Sequence, residues 1–197
     1  MKIAMVMLAA GNSRRFGANK LLYQIEGKPM YQHVLTELLQ VRKELEVNRG
    51  WRAEITVVTQ YDVIGKEAKR LGQQVLYNLC PEKGISSSLK IGLKANLDAD
   101  AVLFAVSDQP WLTGKTILRL ILACMESGKG IGCVSSNGQM GNPCIFKSKY
   151  YNELMKLTGD TGGKRIIRSH EADVIICEAD KKEIKDMDYK KSTENQA

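Results

Sequence analysis

The apolar run from Ile3 to Leu8, within MKIAMVMLAAGNSRRFGANK, admits few folds. A run with no polar interruption suits a strand buried on both faces, as in the middle of a parallel sheet covered by helices. The residues after it are equally restrictive. Ala9, Ala10, Gly11, Asn12 and Ser13 carry little side chain, so the main chain can approach a ligand closely and present its N–H groups. Arg14, Arg15 and Lys20 add positive charge beside those donors, a combination suited to a chain of phosphates. The spacing is not that of a Walker A loop, because five residues separate Gly11 from Gly17 and Ala18-Asn19 precede Lys20. The dinucleotide pattern Gly-x-Gly-x-x-Gly fails as well: Gly11 is followed by Asn12, Ser13 and Arg14 with no second glycine in place.

Beyond this stretch the pattern alternates. Pro29 is expected at the first position of a helix whose Met30, Val34, Leu35, Leu38 and Leu39 share a face, with residues 42–52 as its end and a loop. Strands are expected at 54–60, 73–77, 100–109, 130–135 and 173–178, and helices at 62–72, from the serines before Leu89, and from Thr113 to Ser127. Strands alternating with helices imply an α/β chain with right-handed crossovers and a mostly parallel sheet. The 197 residues, 44% hydrophobic and 26% charged, suit a single domain over 1–190, followed by a tail at 191–197 that frays. No apolar run reaches the roughly 18 residues of a membrane span, and five cysteines without a Cys-x-x-Cys pair argue against a disulfide framework or zinc ribbon. A cytoplasmic protein is expected. The net charge of +7 is spread along the chain and few aromatic residues accompany it, which disfavours nucleic acid.

Two further segments carry chemistry. Ser86, Ser87 and Ser88 open a helix and can present hydroxyls both as caps and to a nucleotide. The apolar strand 100–109 runs out into Ser107-Asp108-Gln109-Pro110, and in open α/β sheets ligands bind beyond the carboxyl ends of strands. Asp108 is therefore expected in the same crevice as Gly11 and Lys20, where a carboxylate can hold Mg²⁺ against phosphates.

LAAGNSRRFGANK closely resembles the signature loop of nucleotidyltransferases with a GT-A-like, Rossmann-type three-layer α/β/α fold, and SDQP resembles their metal-binding motif. CPEKGISSSL, GNP at 141–143 and GDTGGKR at 159–165 are similar to motifs of the molybdenum cofactor cytidylyltransferases and molybdenum hydroxylase accessory proteins, the MocA-like branch of the MobA-like family. Asn142 stands where that family has histidine, Lys164 where it has arginine, and Tyr189-Lys190 where its closing Asp-Ile-Asp-Thr-Pro motif has Thr-Pro.

The resemblance implies a Mg²⁺-dependent enzyme that transfers CMP from CTP to the phosphate of a molybdopterin-type cofactor and releases pyrophosphate. Lys20, Arg15 and Asp108 would be catalytic. Leu8, Ala9, Ala10, Gly11, Asn12, Ser13, Arg14, Lys20 and Ser86–Ser88 would bind the nucleotide. Asn142, Pro143, Asp160, Gly162 and Lys164 would bind the acceptor, and Asp108 with Asp188 would hold the metal. Ala10, where guanylyltransferase relatives tend to carry glycine, favours CTP. A molybdenum hydroxylase is the implied client. Competing expectations are GTP as donor, a sugar phosphate or other acceptor, and a non-catalytic cofactor carrier or maturation chaperone.

Overall fold

Alternate side chains of the first strand go to opposite sides of a sheet, and both sides are covered. The computed structural model describes residues 1–11 and 19–187. Among these the chain runs through β1 (Lys2–Ala9), the two-residue strands β2 (Gln24–Ile25) and β3 (Lys28–Pro29), α1 (Met30–Arg49), β4 (Arg52–Thr59), α2 (Asp62–Arg70), β5 (Gln74–Tyr77) and α3 (Ile85–Lys94). It continues through β6 (Ala101–Val106), α4 (Gly114–Glu126), β7 (Ile131–Ser136), β8 (Gln139–Lys147), α5 (Tyr151–Met155), α6 (Lys164–Ser169) and β9 (Val174–Glu178). Ile3, Met5 and Met7 pack with Val34, Leu35 and Leu38 of α1, Ile64 of α2 and Ile117 and Leu120 of α4. Ala4, Val6 and Leu8 pack on the other face with Leu89 and Leu93 of α3, Leu154 of α5 and Ile166 of α6. Each large apolar side chain so buried contributes about 2 kcal/mol, which explains why the run from Ile3 to Leu8 contains no polar residue.

The seven-stranded sheet has the order β5-β4-β1-β6-β8-β7-β9. β1 pairs in parallel with both β4 and β6, and β4 with β5. Only β8 runs against its neighbours, β6 and β7, while β7 and β9 are parallel. The expected mostly parallel sheet between two helical layers is the one observed. No helix among the described residues is long and apolar enough to cross a membrane.

The structure corrects or extends the expected elements in three places. The first helix does not end near Arg42: Val41 and Leu45 extend its buried stripe to Arg49, and Gly50 stops it at φ 62°. Asn142-Pro143 is part of β8, at a register shift where Cys133 faces Cys144 while Val134 faces Gly141. The unpaired residues of a bulge tolerate a proline that has no N–H to give. The turn itself is Asn137-Gly138, both at positive φ, the geometry that joins antiparallel strands most tightly. Third, neither α3 nor α6 has a side-chain cap: Gly84 precedes α3 and Gly163 precedes α6, so Ser86–Ser88 lie in the first turn of α3.

Gly84 also fixes how two distant segments meet. It sits at φ 82°, and a Cβ there would run into the Gly159 carbonyl, while the Ser86 N–H donates to that same carbonyl at 3.2 Å. Gly138, at φ 77°, has open space around the same position. Gly84→Ala is therefore expected to lose about 3 kcal/mol, roughly 6 °C or more in Tm, and Gly138→Ala about 1 kcal/mol. Thermal unfolding of the two variants checks this; equal losses would contradict the backbone contact.

Candidate active site

The strand order reverses its direction of growth between β1 and β6, the crevice where open α/β sheets bind ligands. The carboxyl ends of these strands are tied together, since both the N–H and the hydroxyl of Ser107 donate to the Leu8 carbonyl, at 3.2 and 2.8 Å. One residue further, the Asp108 carboxylate accepts from the Lys20 ammonium at 2.7 Å, across 88 positions of sequence. Their side chains are 20% and 14% exposed, so the pair is largely removed from solvent yet reachable from the crevice. Lys20 begins a short 3₁₀ turn that Asn19 caps by accepting the Leu21 N–H at 3.1 Å, which anchors the backbone on that side.

The start of the glycine segment is held from β4. Thr59 donates to the Ala9 carbonyl at 3.0 Å, Gln60 to the Ala10 carbonyl at 2.8 Å and Tyr61 to the Gly11 carbonyl at 2.7 Å. Three consecutive carbonyls thus take one bond apiece from three consecutive side chains. Leu8, Ala9 and Ala10 are buried and Gly11 is exposed at the end of this track. Asn12, Ser13, Arg14 and Arg15 lie outside the described residues, as does Asp188.

At the neighbouring strand end, buried Asn78 organises the serines. Its amide nitrogen donates to the Ser87 and Ser88 hydroxyls at 2.8 Å each, its oxygen accepts the Cys80 N–H, and Ser87 donates onward to the Gly84 carbonyl at 2.7 Å. Ser86 is only 2% exposed, and its N–H donates to the Gly159 carbonyl at 3.2 Å.

The segment from Glu183 to Met187 reaches the same place. The Met187 N–H donates to the Asp108 carbonyl at 2.9 Å, and the Gln109 amide donates to the Ile184 carbonyl and the Asp186 carboxylate at 3.0 and 2.9 Å. The Glu183 carboxylate meanwhile takes bonds from Thr113 and Thr116 at the start of α4. This segment is thereby fastened to the Asp108 loop as far as Met187.

On the acceptor side, β8 antiparallel to β6 brings Asn142 and Pro143 to the carboxyl end of β6. Asp160, Gly162 and Lys164 line a surface cavity of about 370 Å³ together with Arg165, Arg168 and Ser169. The cysteines do not enter either arrangement. Cys80 is half-buried and the other four are buried and unbridged, and burial pushes the Cys133 thiol up to about 11 and that of Cys144 to about 12, far from a reactive thiolate.

The donor set fits a hard divalent cation. Mg²⁺ takes oxygen ligands and needs only one or two protein carboxylates because substrate phosphates and waters supply the rest, so Asp108 is sufficient to begin such a site. Among the described residues no group of three or more His, Cys, Asp or Glu side chains offers an all-protein cage.

A model of the MobA-like NTP transferase domain matches residues 5–174, from within β1 through the Lys20–Asp108 pair to both acceptor segments. The chain belongs to the MobA-like NTP transferase family. It is a nucleotidyltransferase. It is similar to the purine catabolism protein PucB of Bacillus subtilis, 28% identical over 93% of this chain and 90% of that protein. A probable molybdenum cofactor guanylyltransferase of Pyrococcus horikoshii is 29% identical over 79% of this chain and 74% of that one. Among solved structures, Rv0371c of Mycobacterium tuberculosis in complex with manganese shares the fold with a TM-score of 0.68 at 20% identity, over 91% of this chain and 89% of that one.

In this MobA-like nucleotidyltransferase, sequence reasoning missed Thr59, Gln60, Tyr61 and Asn78. Their signal was present: polar residues directly following two β-rich segments stand at carboxyl strand ends, where the crevice lies. Tyr61→Phe removes the bond to the Gly11 carbonyl, worth about 1 kcal/mol. It is expected to raise the KM for the nucleoside triphosphate roughly fivefold with little change in Tm. Steady-state kinetics and thermal unfolding check this, and an unchanged KM would mean the bond does not position the glycine segment.

Proposed function

We propose that this nucleotidyltransferase transfers CMP from CTP to the terminal phosphate of a molybdopterin-type cofactor, releasing pyrophosphate. The single observation that carries nucleotidyl transfer is the 2.7 Å contact of Lys20 with Asp108 at the switch between β1 and β6, which joins a cation for phosphates to a carboxylate for a metal. An oxygen of the acceptor phosphate attacks the α-phosphorus, the bond to the β-phosphate oxygen breaks, and that oxygen leaves with pyrophosphate. No side-chain nucleophile is needed, so the protein's contribution is positioning and charge stabilisation.

In this reading Lys20 and Arg15 face the triphosphate, and the N–H groups of the Ala10–Ser13 segment line its path. The carbonyls of Ala9, Ala10 and Gly11 are already engaged by Thr59, Gln60 and Tyr61, which keeps that backbone from rotating when charge shifts. Ser86 offers its hydroxyl to the nucleoside. Asp108, with Asp188 as second acid, would hold Mg²⁺, which when bound neutralises charge on the phosphates and the leaving pyrophosphate. Asn142, Pro143, Asp160, Gly162 and Lys164 orient the acceptor.

Ala10 supports CTP as donor. A second reading, GTP, is favoured by relatives that are molybdenum cofactor guanylyltransferases, including that of Pyrococcus horikoshii. A pyrophosphate-release screen of the four nucleoside triphosphates against molybdopterin, sugar-phosphate and phosphocholine acceptors separates the two and tests the acceptor. Lys20→Ala is expected to lower turnover about 100-fold or more, as for loss of one preorganised charge-stabilising donor. Asp108→Asn is expected to remove the dependence on Mg²⁺ along with most activity. Near wild-type turnover of both variants at saturating Mg²⁺ and nucleotide would rule the mechanism out.

A further inference from the structure

Lys164, Arg165 and Arg168 stand together on α6, and their surroundings do not neutralise them. All three are exposed, all line the cavity of about 370 Å³, and none has an ion-pair partner among the described residues. Some other cations do have acids within reach: Lys2 with Glu54 and Asp98, Arg49 with Glu126, Arg70 with Glu67, Lys149 with Asp173. Lys164 and Arg165 are four and three positions from Arg168, the spacing at which like charges face one another and destabilise a helix by a few tenths of a kcal/mol. Asp160 is the one acid in the cavity wall, against three cations. The Ser169 hydroxyl is committed to the Arg165 carbonyl at 3.1 Å, so recognition there falls to the ammonium and guanidinium groups.

The position of this cavity is fixed from both sides. Gly163, just before α6, lies so close to Phe146 and Cys144 of β8 that a Cβ would come within 2.7 Å of the Phe146 ring and 3.2 Å of the Cys144 sulfur. Gly159, just before Asp160, accepts the Ser86 N–H at 3.2 Å, and Gly162 lies beside Ile85. The loop feeding α6 therefore bridges the strand that carries Asn142-Pro143 and the first turn that carries the serines.

We infer that Lys164, Arg165 and Arg168 form an oxyanion subsite that takes a phosphate-class group of the acceptor. Guanidinium pairs match such groups with paired N–H donors, and an anion removes the mutual repulsion of the three cations. This rests on the reading that the acceptor is itself anionic; Arg165 and Arg168 supply the two-pronged contact that Lys164 cannot.

Titration of inorganic phosphate by calorimetry, in a Lys20→Ala background so that the catalytic lysine does not contribute, tests the subsite directly. Arg165→Ala/Arg168→Ala is expected to weaken phosphate binding roughly tenfold or more, with Arg165→Lys/Arg168→Lys intermediate. Lys66→Ala/Lys115→Ala, which removes two exposed lysines elsewhere, is expected to leave it unchanged. Steady-state kinetics of the arginine variant in the otherwise wild-type chain then identify the source of the anion: the KM for the acceptor rises about tenfold while that for the nucleoside triphosphate stays within twofold. Phosphate binding that survives the double alanine change would overturn the subsite, and a rise confined to the nucleotide KM would overturn its assignment to the acceptor. If no acceptor supports pyrophosphate release, the proposed reaction falls, but the phosphate titration still decides whether the subsite exists.

Discussion

A half-buried lysine and aspartate, 2.7 Å apart and drawn from opposite sides of one strand gap, are the interaction on which the site depends. Neither charge is tolerable alone at that exposure: removing one partner leaves the other poorly solvated and unneutralised. The sheet makes the meeting possible. β1 lies between β4 and β6, so the segment after β1 and the turn after β6 leave the sheet at adjacent points, and Ser107 ties the two strand ends through the Leu8 carbonyl. The same crossover geometry that buries Ile3 to Leu8 on both faces thus sets two opposite charges at the mouth of the crevice. In the proposed reaction Lys20 would face phosphate, and the Asp108 carboxylate would be the group to hold a divalent metal, which would supply charge neutralisation.

Around this pair the structure constrains backbone more than side chains. The carbonyls of Ala9, Ala10 and Gly11 are engaged by Thr59, Gln60 and Tyr61, the Gly84–Gly159 contact allows no Cβ between α3 and the loop before α6, and the Asp108 carbonyl accepts from Met187. Each of these contacts fixes where N–H groups and short side chains can meet a ligand. That arrangement suits phosphoryl chemistry, in which prearranged dipoles and charges do most of the stabilising and little of it comes from groups that react. It also shows why substitutions at Asn142 and Lys164 are compatible with the fold: Asn142 sits in a strand bulge and Lys164 on an exposed helix face, so neither supports the core.

The parts legible in the sequence were those with strong local patterns. The unbroken apolar run gave β1, β-branched stretches gave β4 and β9, Thr113 capped α4 as its position implied, and Asp108 at the tip of an apolar strand met Lys20. The features that escaped depended on tertiary contact. Arg42 to Arg49 is polar enough to pass for a loop, yet two buried residues, Val41 and Leu45, hold it helical. Gln139 to Lys147 contains glycine, asparagine and proline, and it is pairing on both sides, with β6 and β7, that makes it a strand. The polar character of Thr59-Gln60-Tyr61 at a strand's carboxyl end was visible, but its partners were not, because the acceptors are main-chain atoms 50 residues away. The roles assigned to Arg15 and Asp188 concern positions outside the described residues and rest on the motif alone.

The central claim is that Lys20 and Asp108 converge on one triphosphate and its metal. The most direct measurement is a crystal structure grown with Mn²⁺ and a non-hydrolysable nucleoside triphosphate analogue, with the metal located by its anomalous scattering. The account predicts a manganese peak on the Asp108 carboxylate and the triphosphate lying between it and the Lys20 ammonium. A metal peak or a triphosphate ordered elsewhere on the molecule, with the Lys20–Asp108 contact left intact, would contradict it.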